Sequence, residues 1–175
     1  AIQCYERLKA QGNLSVRVMV SHSIPSEGLW RSVERAIEEV ANHPLRRGDD
    51  GLRIIGTKTY LDGGMLTGSA WMREPWGVST IYGITDPAYR GTLKIPHERL
   101  LQMVEEVTAA GMQFTAHSVG DGAVHELLDV YEEVNKKHSV RDTRASITHS
   151  NFMGEEDVKR AARLGVMLDI QPVWL

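Results

Sequence analysis

The sequence predicts an α/β fold, a partial (β/α)8 barrel of the TIM type with about five parallel strands joined by crossover helices. Helical and strand-like segments alternate along its 175 residues in the order αβαβαβαβαβ. The strand-like segments begin near residues 16, 52, 112, 145 and 166. Several of these intervals match the roughly 31 residues of one βα unit in an eight-fold barrel. An open Rossmann-like sheet has the same order, but no GxGxxG motif follows any strand-like segment.

Each segment is assigned from its hydrophobic periodicity and from the residues at its ends. Gly12, Gly111 and Gly165 stand where the C-terminal caps of helices belong. We expect Ser26 and Asp121 to cap the N-termini of the helices that follow them. The predicted helices cover residues 2–11, 27–42, 96–110, 121–137 and 155–164, and the predicted strands cover residues 16–20, 52–61, 112–119, 145–148 and 166–171.

Composition and charge narrow the class of protein. The chain has 42% hydrophobic and 25% charged residues, an ordinary globular balance that fits one domain. Its net charge of −3 comes from interspersed acids and bases, so we expect no nucleic-acid partner. Cys4 is the single cysteine, which excludes an internal disulfide framework and favours a reducing, cytoplasmic setting. The apolar runs are too short to span a bilayer, so we expect no membrane segment.

Residues 63–94 form a long segment without helix or strand periodicity. It contains Trp71 and Trp76 among several glycines. Long irregular segments within compact domains are usually functional, so this one is expected to lie on the substrate side of the barrel. The two tryptophans either line the mouth of a substrate site or cover an apolar gap, and the sequence favours neither alternative.

Three residues stand at the carboxyl ends of predicted strands, where reactive side chains gather in parallel α/β folds. They are Lys58, His117 and His149. A single histidine in this position is more often a structural residue. His117 and His149, however, are 32 positions apart, about one barrel repeat, so neighbouring strands should bring their imidazoles side by side. Neutral imidazole is a good zinc ligand, so the pair favours a metal site.

Four short motifs around these residues resemble the amidohydrolase superfamily, specifically the branch of the N-substituted formamide deformylases. They are KTYLDG at residues 58–63, AHSVGD at residues 116–121, ITHS at residues 147–150 and LDIQP at residues 168–172. They occur in the order of the family and cover most of the chain from residue 16 onward. The resemblance implies metal-assisted hydrolysis of non-peptide carbon–nitrogen bonds in a small amide-type substrate.

The resemblance also implies roles for individual residues. His117 and His149 would bind Zn²⁺ or another divalent metal, and Lys58 would be carboxylated to bridge two ions in a binuclear site. Apart from the resemblance, the positions of Asp62 and Asp121 allow a hydrogen bond from Asp62 to Lys58 and an orienting contact from Asp121 to His117, although turn formation and helix capping are the simpler interpretations of these two residues. The family's first-strand His-x-His pair and its general-base aspartate are absent from this sequence. We therefore assign no catalytic residue.

These gaps leave three hypotheses open. The first is an internal piece of a hydrolase, residues 1–175 forming an incomplete barrel that is inactive alone. The second is a non-catalytic half-barrel that binds or assembles, for which exposed strand edges favour a homo-oligomer. The third is an isomerase or lyase on the same barrel, since fold does not fix chemistry. Metal content separates the first hypothesis from the second.

Overall fold

The structure is a computed structural model that describes residues 2–171, and a single parallel sheet organises it. The five strands lie in the order β1-β2-β3-β4-β5, each hydrogen-bonded in parallel to the next along the chain. The strands are β1 (Val18–Ser23), β2 (Leu52–Tyr60), β3 (Gln113–Ser118), β4 (Ser146–His149) and β5 (Met167–Ile170), and the α-helices are α1 (Ile2–Ala10), α2 (Trp30–Ala41), α3 (His97–Ala109), α4 (Asp121–Val134) and α5 (Glu155–Leu164). This topology confirms the predicted part of a TIM-type barrel.

One face of the sheet packs against the helices and forms the core. Ile54, Phe114 and Ile147 project from β2, β3 and β4 into this layer, and all three are fully buried. The helical side of the core consists of buried residues at helical spacing, among them Leu100, Met103, Val104 and Val107 of α3 and Leu127, Leu128 and Tyr131 of α4. Burial of this apolar surface is the main term that holds the helices to the sheet.

The opposite face of the sheet carries polar side chains and would line the barrel interior. Lys58 pairs with Thr115 and Tyr60 pairs with His117, so these four side chains share that face. A β-bulge at Ile55 sets this orientation, because Val20 pairs with Ile54 while Ser21 pairs with Gly56. The extra residue reverses the side-chain alternation of β2, so that Lys58 and Tyr60 point away from the helices.

Two of the predicted helix caps are wrong. Helix α2 begins at Trp30 rather than Glu27, and its N-cap is Leu29 without a side-chain hydrogen bond. Gly28 has a φ of 99°, which a right-handed helix does not allow, so Ser26 cannot cap this helix. Helix α4 has Gly120 as its N-cap, and Asp121 is already its first residue.

The remaining boundaries differ from the predictions by a few residues. Strand β1 covers Val18–Ser23, two to three residues later than expected. Helix α3 begins at His97, with Pro96 as its N-cap. The strand predicted for residues 166–171 is shorter, and Pro172 of the LDIQP motif lies outside the described residues. Within residues 2–171, no helix has both the length and the apolar character needed to cross a membrane.

Candidate metal centre

His117 and His149 lie side by side at the carboxyl ends of β3 and β4. Their ring centroids are 4.6 Å apart, and the ring planes meet at 74°. Regular alternation would point His149 toward the helices with Ile147, because the two are separated by one residue. Positive φ values of 85° at His149 and 52° at Ser150 interrupt the alternation at the strand end. Non-glycine residues adopt this region at a cost of order 1–3 kcal/mol, and such strain concentrates at functional sites.

Hydrogen bonds fix which nitrogen of each ring is free. Nε2 of His117 lies 2.8 Å from the carbonyl oxygen of Gly63. A carbonyl only accepts, so Nε2 carries the proton and Nδ1 keeps its lone pair. Nδ1 of His149 lies 2.7 Å from Oε1 of Gln171, which in the same way leaves Nε2 of His149 free. Histidine ligands of metals are commonly oriented by this kind of second hydrogen bond.

The environment of His117 favours the neutral imidazole that a metal requires. Burial lowers the pKa of His117, the Gly63 carbonyl opposes that shift, and the positive charges of His149, Lys58 and Lys94 lower it further. A ring that is neutral at neutral pH has a lone pair to offer. His117 therefore provides an uncharged nitrogen donor at this end of the sheet.

Asp62 ties the long loop to the end of β3. Its fully buried carboxylate accepts hydrogen bonds from the backbone amides of Trp71 (3.0 Å), Val119 (3.0 Å) and Gly120 (2.8 Å). Its Oδ1 also lies 3.6 Å from Nε2 of His117. Burial raises the pKa of Asp62 to about 6, although the three amides oppose the shift. Asp62 thus supports His117, whereas its hydrogen bonds do not include Lys58.

Two lysines and a tyrosine flank His117 on the inner face of the sheet. The rings of Tyr60 and His117 have centroids 5.4 Å apart. The ammonium nitrogens of Lys58 and Lys94 lie 6.0 Å and 5.6 Å from the centroid of Tyr60. Within residues 2–171 neither ammonium forms an ion pair with a carboxylate. Lys94 was missed in the sequence because no motif contains it, and a backbone bond from its amide to Leu61 brings it here.

The other expected site residues lie further from the histidines. Trp71 is half-buried against the hydrophobic core, so it covers apolar surface. Trp76 donates from Nε1 to the carbonyl of Ala70 and packs edge-on against Tyr82, with ring centroids 5.8 Å apart. Asp121 accepts from the backbone amide of Arg73 at 2.9 Å, so it anchors the loop and does not orient His117.

A small apolar cavity opens directly beside the two histidines. Its volume is about 160 Å³. Besides the imidazoles, it is lined by Met65, Leu66 and Val119 together with Gly64, Thr67 and Asn151. Met65 and Leu66 belong to a short 3-10 turn, Met65–Thr67, within the long loop. Neither residue carried a sequence signal, because no periodicity marks this segment.

The donor set fits a divalent metal but supplies only part of its coordination. Among residues 2–171, no cluster of three or more His, Cys, Asp or Glu side chains is placed to hold an ion. A catalytic zinc site requires three protein ligands and an open position. The two imidazoles, each with one free ring nitrogen, would supply two of those ligands. Lys58, on the same face, would contribute an oxygen ligand only after carboxylation.

Comparisons with known proteins identify the family and the fold. The sequence profile of the amidohydrolase family matches residues 1–175. Two solved structures of uncharacterized metal-dependent hydrolases, from Pyrococcus horikoshii OT3 and Pyrococcus furiosus, superpose on 99% of the chain with TM-scores of 0.74 and 0.75 at 23% identity. The chain covers 31% and 32% of those structures. At this identity, the likeness establishes the shared fold.

Two curated relatives match about two thirds of the chain. Protein LONG AFTER FAR-RED 3 of Arabidopsis thaliana is 27% identical over 121 residues, which is 69% of this chain. The putative amidohydrolase YtcJ of Bacillus subtilis (strain 168) is 27% identical over 115 residues, which is 66% of this chain. Each match covers 20% of the relative, so the chain spans a minor part of these proteins.

Proposed function

The chain belongs to the amidohydrolase family, and from this premise we propose that it supplies part of the metal site of a hydrolase for amide-type carbon–nitrogen bonds. N-substituted formamides would be one example of such a substrate, since the motifs resemble a branch that includes the N-substituted formamide deformylases. The single observation that supports the proposal is the pair of imidazoles, His117 and His149, 4.6 Å apart with one free nitrogen each. Their hydrogen bonds leave both lone pairs available at the same end of the sheet.

Each residue of the pair has a defined task in this proposal. His117 would bind the metal, preferably zinc, through Nδ1, and His149 would bind it through Nε2. When bound, the ion supplies an activated water and polarises the substrate carbonyl. Asp62 holds the loop that carries Gly63, and the Gly63 carbonyl holds the ring of His117 through Nε2. The apolar cavity beside the rings would exclude water from one side of a bound substrate.

Lys58 would complete a binuclear site after carboxylation. Its neutral amine would attack carbon dioxide, forming a carbamate and releasing a proton. This change turns a cation without a carboxylate partner into an anion with oxygen donors. The Lys94 ammonium, which also lies near the Tyr60 ring, would then have a negative rather than a positive neighbour. The mass of the intact protein, measured under native conditions with and without carbon dioxide, tests this modification.

A half-barrel assembly module is the second candidate function. In the described sheet, β1 and β5 are each hydrogen-bonded on one side only, so both strands present unpaired backbone groups. Strand pairing between two copies of the chain would satisfy them and would produce a homo-oligomer. The oligomeric state in solution, compared between this chain and a longer one with the remaining barrel strands, distinguishes this candidate from the first.

Metal stoichiometry tests the proposed function. The purified chain should bind zinc, and a His117→Ala/His149→Ala double variant should bind it at least tenfold more weakly. A His22→Ala/His138→Ala variant is the matched control, because His22 pairs with Thr57 on the helix-facing side of the sheet and His138 follows α4. Equal zinc binding by all three proteins, or none by the unmodified chain, would contradict the proposal.

A further inference from the structure

A second cavity lies at the amino ends of the strands, away from the histidine pair. Its volume is about 420 Å³, within the size range of small-molecule sites. Arg53 is the second residue of β2, and Tyr60, beside His117, is the last. Seven residues of strand at roughly 3.3 Å each separate the two ends by about 20 Å. The cavity is therefore a separate place on the fold, which we call the arginine cleft.

Three guanidinium groups line the arginine cleft against one carboxylate. The arginines are Arg46, Arg53 and Arg144, and the acid is Asp142. None of the three arginines forms an ion pair with a carboxylate of the described residues 2–171. Burial lowers the pKa of Arg46, and the neighbouring charge of Arg53 lowers it further, which shows that these two cations repel each other. The cleft therefore has a surplus of positive charge.

Arg46 builds the floor of the cleft. Its Nη1 donates to the carbonyls of Ile54 (3.1 Å) and Ile55 (3.3 Å), and its Nη2 donates to the carbonyl of Gly111 (3.0 Å). These bonds join the bulge of β2 to the turn before β3. Arg46 is thus held in place by the fold, and its charge is fixed in the cleft.

Arg53 and Arg144 have donors to spare. The Nε of Arg53 contacts the sulfur of Met19 at 3.3 Å, and an Nη2 of Arg144 contacts the sulfur of Met167 at 3.4 Å. A thioether is a weak acceptor, so these contacts position the side chains without neutralising them. The backbone of Arg144 has a φ of 58°, and its carbonyl accepts from the buried Gln113 at 2.6 Å. The hydrogen bond from Gln113 thus fixes the unfavourable backbone conformation of Arg144 at the edge of the cleft.

We propose that the arginine cleft binds a small molecule that carries an oxyanion, a phosphate or a carboxylate, through Arg53 and Arg144. The planar guanidinium presents parallel N–H donors that match the two oxygens of a carboxylate or phosphate. A bound anion would also relieve the repulsion between Arg46 and Arg53. A purely structural arginine on this fold has a different environment: the guanidinium of Arg160 is bonded to three carboxylates, those of Asp129, Glu132 and Asp157.

Titration of the metal-free chain with inorganic phosphate and with succinate tests the proposal. Calorimetry at constant ionic strength, with chloride as the balancing anion, should show saturable binding of at least one of the two. Arg53→Gln and Arg144→Gln should each weaken it about tenfold, since each removes hydrogen bonds to a charged group. Arg31→Gln is the matched control, because it removes the same charge from an exposed position on α2. The His117→Ala/His149→Ala variant should bind as the unmodified chain does.

Amide chemical shifts of the unmodified chain give a readout that depends on no variant. Saturation with the tighter anion should move the resonances of Gly111, Gln113 and Thr143, which line the cleft, and leave those around His149 in place. Binding that the Arg31→Gln control weakens as strongly as the cleft variants, or shifts spread over the whole surface, would show general charge attraction and overturn the proposal. Absence of saturable binding for both anions would overturn it as well.

Discussion

The charged cluster between α4 and α5, formed by Arg160 and three carboxylates, differs from the histidine pair in hydrogen bonding. The groups of the cluster are hydrogen-bonded to one another, whereas the histidines are only partly hydrogen-bonded within the described chain. Arg160 donates to Glu132, Asp129 and Asp157, and its side chain is only 7% exposed. The hydrogen bond to Glu132 is the main reason why the pKa of Arg160 is raised. His117 and His149 instead each keep one nitrogen without a partner in the described residues, on a backbone that is strained at His149. Polar groups that form all their hydrogen bonds within the chain stabilise the fold, whereas a ring nitrogen without a partner is available to bind a ligand.

The same contrast extends to the neighbouring hydroxyls. Ser118 is the last residue of β3, and Ser150 directly follows β4. The buried hydroxyl oxygens of both serines lack hydrogen-bond partners. An unsatisfied buried hydroxyl typically destabilises a protein by about 1–3 kcal/mol. These two hydroxyls are thus a local energetic cost at the ends of β3 and β4. Stability and ligand binding should therefore respond to substitution in different places.

The largest expected effect is on stability, from removal of Arg160. Arg160→Met would leave the buried carboxylate of Asp157 without its cation and should lower the free energy of unfolding by about 3 kcal/mol. Urea denaturation monitored by circular dichroism measures this change. Arg163→Met, an exposed arginine on the same helix, should change it by less than about 0.5 kcal/mol. Zinc affinity should be unaltered in both variants, and a large loss of affinity in Arg160→Met would contradict the separation of the two clusters.

Asp62 contributes both to the stability of the fold and to the histidine pair. Its carboxylate accepts hydrogen bonds from three backbone amides and also lies beside His117. Asp62→Asn replaces an acceptor of three backbone amides by a side chain that must direct its own N–H groups toward one of them. We expect a loss of about 2 kcal/mol in unfolding free energy together with weaker zinc binding. Asp121→Asn is the control, since its single bond to the amide of Arg73 can be kept by an amide oxygen. Similar losses in both variants would contradict a specific role of Asp62 in both stability and zinc binding.

Ser150 offers a test with the opposite sign. Ser150→Gly removes both a positive-φ side chain and an unsatisfied buried hydroxyl, so it should raise the free energy of unfolding by about 0.5–1 kcal/mol. The same substitution at Ser32, an exposed residue in the first turn of α2, should lower it by up to about 1 kcal/mol. Thermal denaturation of the two variants compares them directly. A destabilised Ser150→Gly protein would mean that the backbone at the end of β4 is not strained.

The sequence predicted the fold well because hydrophobic periodicity carries most of that information. The helical stripes of α3 and α4, which alternate with strand-like segments along the chain, predict a parallel sheet covered by helices. The N-cap predictions failed for a local reason. Capping is decided by backbone angles, and Gly28 with a φ of 99° ends any helix that would begin at Glu27. Asp121 was expected to cap α4, but the loop amide of Arg73 competes for its carboxylate.

The candidate site was predictable only where chain position determines it. The sequence predicts that His117 and His149 are neighbours, because both stand at strand ends and are about one barrel repeat apart. The structure places their ring centroids 4.6 Å apart. Asp62, by contrast, gains its role from the folded loop, since its three amide donors come from Trp71 and from Val119 and Gly120, far apart in sequence. Met65, Leu66 and Lys94 reach the site through irregular backbone, which no periodicity describes.

The most direct test of the central claim, a prearranged pair of ligand nitrogens, is the tautomeric state of the two histidines. Long-range ¹H–¹⁵N correlation spectra of the metal-free chain should show His117 protonated at Nε2 and His149 protonated at Nδ1, as their bonds to Gly63 and Gln171 require. On addition of zinc, Nδ1 of His117 and Nε2 of His149 should shift while the protonated nitrogens change little. The reverse tautomers, or spectra that zinc leaves unchanged, would contradict the proposal that this end of the sheet is a metal site.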